Sequence, residues 1–167
     1  MGEPRQPATS PDHSAAALGE SSQGESSPAS SSIPSEPFAI GSHQVKVEGS
    51  IIHVRLIGPY LREHAREILL LADQLYDSHG EVALLADSSR SGPPPPETRR
   101  FVATWSYHGP YIAALYGANQ VVRVMARLMI GAQRMLGSVQ HIETQICDSE
   151  AQARAWIAEQ RRKRKTG

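Results

Sequence analysis

The sequence predicts an α/β fold: a mixed, mostly parallel sheet opened by a β-hairpin, with about four helices packed on it. Two short alternating runs flank a Gly49-Ser50 turn. The apolar runs Val82–Ala86 and Tyr111–Tyr116 are continuous, as expected of strands covered on both faces. Around them, apolar residues recur at helical spacing.

Gln44 to Glu48 alternates polar and apolar, and Ile51 to Leu56 alternates again across the turn. That pattern reads as a hairpin with one covered face, ended by Gly58-Pro59. Leu61, Ala65, Ile68, Leu69, Ala72 and Leu75 then mark a helix, with Arg62, Glu63, Arg66, Glu67 and Asp73 on its other side. Gly80 terminates it. The strand Val82–Ala86 ends in Asp87, and Ser88 to Pro95 forms a loop. Pro96 and Glu97 suit a first helical turn, Phe101 and Trp105 share a face four residues apart, and His108-Gly109-Pro110 stops the helix. After the strand Tyr111–Tyr116, Asn119 caps a helix from Gln120 to Leu136 that Gly137 ends. Val139 to Cys147 is a half-polar strand with Ile142, Thr144 and Ile146 on one side. Asp148 or Ser149 caps a last helix carrying Ala151, Ala155, Trp156 and Ile157.

Three zones follow. Residues 1–37 are a disordered, acidic Ser/Pro-rich tail, with Arg5 against Glu3, Asp12, Glu20, Glu25 and Glu36. It lacks the apolar core of a signal peptide. Residues 38–160 form one domain, and residues 161–167 a basic tail beginning Arg161-Arg162-Lys163-Arg164-Lys165. Basic runs of this length can bind nucleic acid or anionic surfaces, or simply solvate a helix end. Net charge is zero and no aromatic residues interleave with the basic run, so specific nucleic-acid recognition is not expected. No stretch has transmembrane length: Val121 to Leu136 is interrupted by Arg123, Arg127 and Arg134. The single Cys147 excludes an internal disulfide and fits a reducing cytoplasm.

No catalytic constellation stands out. His13, His43, His53, His64, His79, His108 and His141 show no metal-ligand spacing, and no Gly-x-Ser-x-Gly elbow accompanies the serines. The expectation is a protein that is not an enzyme and uses neither metal nor cofactor. The stretch Glu81–Trp105 is where fold and function signals coincide, because open α/β sheets build binding edges where a strand hands over to a helix.

The joints of this pattern resemble the SpoIIAA-like domains, relatives of the STAS domain that are distantly similar to the CRAL-TRIO lipid-binding proteins. The resemblance spans roughly Val45 to Ile157. It rests on Ile57-Gly58-Pro59, Leu84-Leu85-Ala86-Asp87, Tyr111-Ile112-Ala113-Ala114-Leu115-Tyr116-Gly117, and Ala151-Gln152-Ala153-Arg154-Ala155-Trp156-Ile157. It implies a bacterial, non-enzymatic regulatory module that acts on another protein, a regulator or kinase, or on itself; the alternative is a carrier or sensor for a small apolar ligand. In such regulatory domains a Ser or Thr after the Asp-ending strand is phosphorylated, which makes Asp87, Ser88, Ser89 and Ser91 a candidate switch or partner edge. The plain reading of the same serines is loop solvation. Pro93 to Pro96 is either a stiff spacer or a polyproline docking segment.

The helix from Gln120 is apolar over more than one stripe. Phe101, Trp105, Met125 and Met129, with Arg123 and Arg127 beside them, form a candidate ligand or partner face. The ligand-carrier alternative predicts an extractable apolar ligand and an enclosed cavity lined by Met125, Met129 and Phe101. An ordinary core helix requires none.

Overall fold

The computed structural model describes residues 34, 36–135 and 142–166, and of 132–135 the backbone alone. Most of the acidic N-terminal segment, the Gly137 stop and the start expected at Val139 lie outside the described residues. The chain forms β1 (Phe38–Ile40), β2 (His43–Glu48), β3 (Ile51–Gly58), α1 (Arg62–His79) and β4 (Val82–Ser91). These are followed by α2 (Pro96–Ala103), β5 (Tyr111–Tyr116), α3 (Gln120–Met135), β6 (Ile142–Ile146) and α4 (Glu150–Thr166).

The sheet order follows the chain, β1 to β6. The first two pairings are antiparallel and the remaining three parallel. Glu48 pairs with Ile51, so Gly49-Ser50 is the whole turn of the β2–β3 hairpin, and Gly49 takes the left-handed conformation that turn needs at φ 62°. With parallel neighbours in chain order, crossovers of one hand put α1, α2 and α3 on one face, where all three line the same apolar space. Helix α4 returns across the other face, against β4 and β5.

Each face has its own core. Ile52, Val54 and Val82 pack with Ile68, Leu71, Ala72 and Leu75 of α1. Ala83, Leu85, Ile112 and Ala114 pack with Ala153 and Ile157 of α4. That is why the apolar runs of β4 and β5 do not alternate: neither side of either strand faces water.

The helix ends follow their local chemistry. Gly80 closes α1 at φ 71°, donating its amide to Tyr76 O at 2.7 Å. Asn119 Oδ1 accepts the Val122 amide at 3.0 Å and starts α3. Ser149 caps α4: its Oγ accepts the Gln152 amide at 3.3 Å, while the Asp148 amide donates to Gln152 Oε1 at 2.7 Å.

Four features differ from the sequence expectation. Strand β1 precedes the hairpin. Strand β4 runs through Asp87 to Ser91, so the serines belong to the sheet and the connecting loop is only Gly92–Pro95. Helix α2 stops at Ala103, leaving Trp105 beyond it. Helix α4 continues through the basic run to Thr166, and the boundary drawn at Gln160 falls inside it.

Candidate functional site

Strand β4 carries two sites on opposite faces, because successive side chains of a strand point to opposite sides. Leu84, Ala86 and Ser88 turn toward α1 and α3, whereas Ala83, Leu85 and Asp87 turn toward α4. At the end of the strand the register slips: Arg55 pairs with Asp87, but Ile57 pairs with Arg90. Ser88 and Ser89 together therefore oppose Leu56, which makes a β-bulge. Asp87 fixes it by accepting the Ser89 amide on Oδ1 at 3.0 Å.

On the first face lies a partly enclosed apolar cavity of about 170 Å³. Its floor is the sheet, at Val54, Leu84, Ala86, Ala113 and Leu115. Tyr60 and Ile68 form one wall, Val122, Ala126 and Met129 of α3 the opposite wall, and Gly92 and Pro94 close the end. A second lobe of about 160 Å³ shares Tyr60, Leu84, Leu115 and Met129 and reaches Thr98 and Val102 of α2. Polar groups are sparse in it. Ser91 Oγ donates to Ser88 O at 3.3 Å. Ser88 Oγ and Thr98 Oγ1 are buried and have no hydrogen-bond partner among the described residues. Burial raises the Tyr60 phenol above its ordinary pKa, with Tyr107 adding to the effect, so Tyr60 presents a neutral ring.

The proline run thus serves geometry. Pro96 occupies the first turn of α2, Pro95 precedes it in extended backbone, and Pro94 faces the cavity. None of the three serines sits at the helix start; Ser88 and Ser91 are buried in the strand and Ser89 is exposed on it.

The expected ligand face divides. Met129 lines the cavity, but Met125, Phe101 and Trp105 do not. Phe101 stacks edge-on against Trp105 at 5.2 Å and lies under the Arg62 guanidinium at 5.1 Å. Trp105 Nε1 donates to Asp73 Oδ2 at 3.1 Å. Arg123 pairs with Asp148 at 2.8 Å and donates to Ala118 O, tying α3 to the β6–α4 turn. Arg127 is exposed.

No family model, curated protein or solved structure matches the chain.

The second face holds a polar network that sequence reasoning missed. His53 Nε2 meets Tyr116 Oη at 2.9 Å, and Tyr116 donates to Glu150 at 3.2 Å. Arg154 then bridges Glu150 at 2.7 Å and Glu48 at 2.9 Å and approaches His53 Nδ1 at 3.5 Å. One proton arrangement satisfies all of them: a neutral His53 donates from Nε2 and accepts on Nδ1. Burial holds the His53 pKa below its ordinary value, which fits that neutral form. Beside it, burial alone would raise the Asp87 carboxyl. The Ser89 amide and hydroxyl, together with Arg55 at 3.3 Å, outweigh burial and leave the Asp87 pKa lowered. Every group is paired in this protonation state, and the network ties α4 to the sheet.

Asp73, expected with the charged residues on the outer side of α1, lies inside instead. It is buried on α1, where it accepts hydrogen bonds from Trp105, Tyr111 and the His108 amide. Among the described residues no three His, Cys, Asp or Glu side chains gather as a metal site. No helix there is long and apolar enough to cross a membrane.

Proposed function

We propose that this domain is a cytoplasmic, non-enzymatic binding module that holds a small apolar ligand between its sheet and α3, as a carrier or sensor. The cavity carries this reading. Interiors are normally packed to the density of organic crystals, so apolar space of about 170 Å³ invites an apolar occupant. The resemblance to SpoIIAA-like and CRAL-TRIO-like domains supports the same reading. Toluene is the probe: it should bind the wild-type protein and raise its melting temperature, and Ala126→Phe, which fills the cavity from α3, should abolish the effect. Failure of toluene and of phenol alike to bind, or binding undiminished by Ala126→Phe, overturns the reading.

A second reading is regulatory protein–protein interaction through the outer face of α3. Val121 and Leu128 are 60% and 63% exposed, with Val124 on the same side. If that face self-associates, Leu128→Glu shifts the sedimenting species to monomer without altering the circular-dichroism spectrum. A wild-type protein that is already monomeric at high concentration and captures no partner removes this reading.

A further inference from the structure

Resting on the reading of the cavity as a ligand site, we infer that its ligand is a small, uncharged ring compound bearing a hydroxyl or carbonyl, held by the side-chain hydroxyls of Ser88 and Thr98. An apolar cavity alone would accept any hydrocarbon. These two hydroxyls make the site selective.

Ser88 is 1% exposed and Thr98 is fully buried. Neither hydroxyl has a hydrogen-bond partner among the described residues. Leaving a buried hydroxyl unpaired costs roughly 1–3 kcal/mol, and such groups are rare enough in native proteins to demand a reason. A threonine in a first helical turn can donate to the carbonyl four residues back, but Thr98 does not: Pro94 O accepts Arg99 Nη1 at 3.1 Å and no bond from the Thr98 hydroxyl. Ser88 reaches the cavity wall because the strand continues past Asp87 and the bulge holds it there. Ser91, by contrast, donates its proton to Ser88 O. Ser88 lines the first lobe and Thr98 the second, and the lobes share the wall of Tyr60, Leu84 and Met129. One ligand spanning the shared wall can meet both.

Charge sets the class. Among the described residues no charged side chain lines either lobe, so a carboxylate, phosphate or ammonium would meet no counter-ion there. A hydroxyl or carbonyl suits the two hydroxyls, which can each donate or accept. Size sets the scale. A dry cavity of about 150 Å³ admits benzene, so the first lobe alone takes a single ring with a few further atoms.

Phenol and toluene test the inference, because they are nearly the same shape and differ by a hydroxyl for a methyl. Titration calorimetry of the full chain should show phenol binding at least as tightly as toluene, although phenol is the better hydrated of the two. Ser88→Ala and Thr98→Val should each weaken phenol severalfold, and together about tenfold, while leaving toluene unchanged or tighter. Either substitution removes an unpaired hydroxyl, so folding should survive; urea unfolding of each variant checks that. If one variant does not fold, the other and the wild-type phenol-to-toluene ratio still decide. Toluene tenfold tighter than phenol in the wild type, or phenol indifferent to both substitutions, overturns the polar reading and leaves the cavity reading standing. Failure of both probes to bind overturns both.

Discussion

Asp73 gathers the Trp105 indole, the Tyr111 phenol and the His108 amide onto one carboxylate, and His108 extends the cluster to Asp77 at 3.0 Å. Helical periodicity did not reveal this. Asp73 lies at the margin of the apolar face of α1, and what buries it is the segment between α2 and β5, a contact from more than thirty positions away. The same cluster carries a pH dependence. The hydrogen bond to Asp77, then the charge of Asp73, raises the His108 pKa above its ordinary value. A raised folded-state pKa means that the native state holds its proton more tightly than the unfolded chain. The stabilisation is therefore present below the unfolded value of about 6.5 and is lost as pH rises through the folded value. Urea midpoints should show wild type above His108→Gln at about pH 6, with the gap closing at about pH 8 and beyond. A gap that widens with pH would falsify this assignment.

At the scale of elements, the hairpin, three of the helix caps and the two central strands were legible, because alternation, turn glycines and capping residues are local signals. The far half of β4 was not. Asp87-Ser88-Ser89-Arg90-Ser91 is poor strand sequence, yet pairing with β3 and with Tyr116 of β5 holds it in the sheet. Continuing the alternation of Leu84 and Ala86 by one step places Ser88 on their face, so the cavity residue could have been found had the strand been extended. Asp87→Ala should cost about 1–2 kcal/mol by releasing the Ser89 amide and Arg55, read as a lower urea midpoint at neutral pH. Because the Asp87 pKa is lowered in the folded state, its contribution is present above the ordinary carboxylate range and fades as pH falls through the folded value. The difference between variant and wild type should therefore shrink in acid. A constant difference from neutral pH down to about pH 3 would count against the pairing.

At the scale of the molecule, the basic run is part of the frame. Arg161 donates to Ser50 O at 3.0 Å and to its Oγ at 2.9 Å, and approaches Glu81 at 3.8 Å. Arg164 donates to Pro110 O at 2.8 Å and Tyr111 O at 3.1 Å. Charge-assisted bonds to backbone carbonyls at the strand starts are worth more than exposed ion pairs. Composition showed the charge but not its destination, since a run of arginines reads alike on a tail and on a docked helix. Ending the chain after Gln160 should lower stability by about 2–3 kcal/mol, measured by urea unfolding at moderate salt. A truncated protein as stable as the full chain would place the run in solvent.

Those same arginine contacts fix an order of events. Arg154 reaches Glu48 across 106 positions, and Arg161 reaches Ser50 across 111. The hairpin and the α1–β4 unit close over short loops and can form early, but the α4 side of the sheet closes only after nearly the whole domain has been made. Until then Ala83, Leu85, Ile112 and Ala114 have nothing over them. A nascent chain of this protein therefore carries an uncovered apolar sheet face from the completion of β4 until α4 has been made, and that interval, more than the finished fold, is when it is open to association with its neighbours.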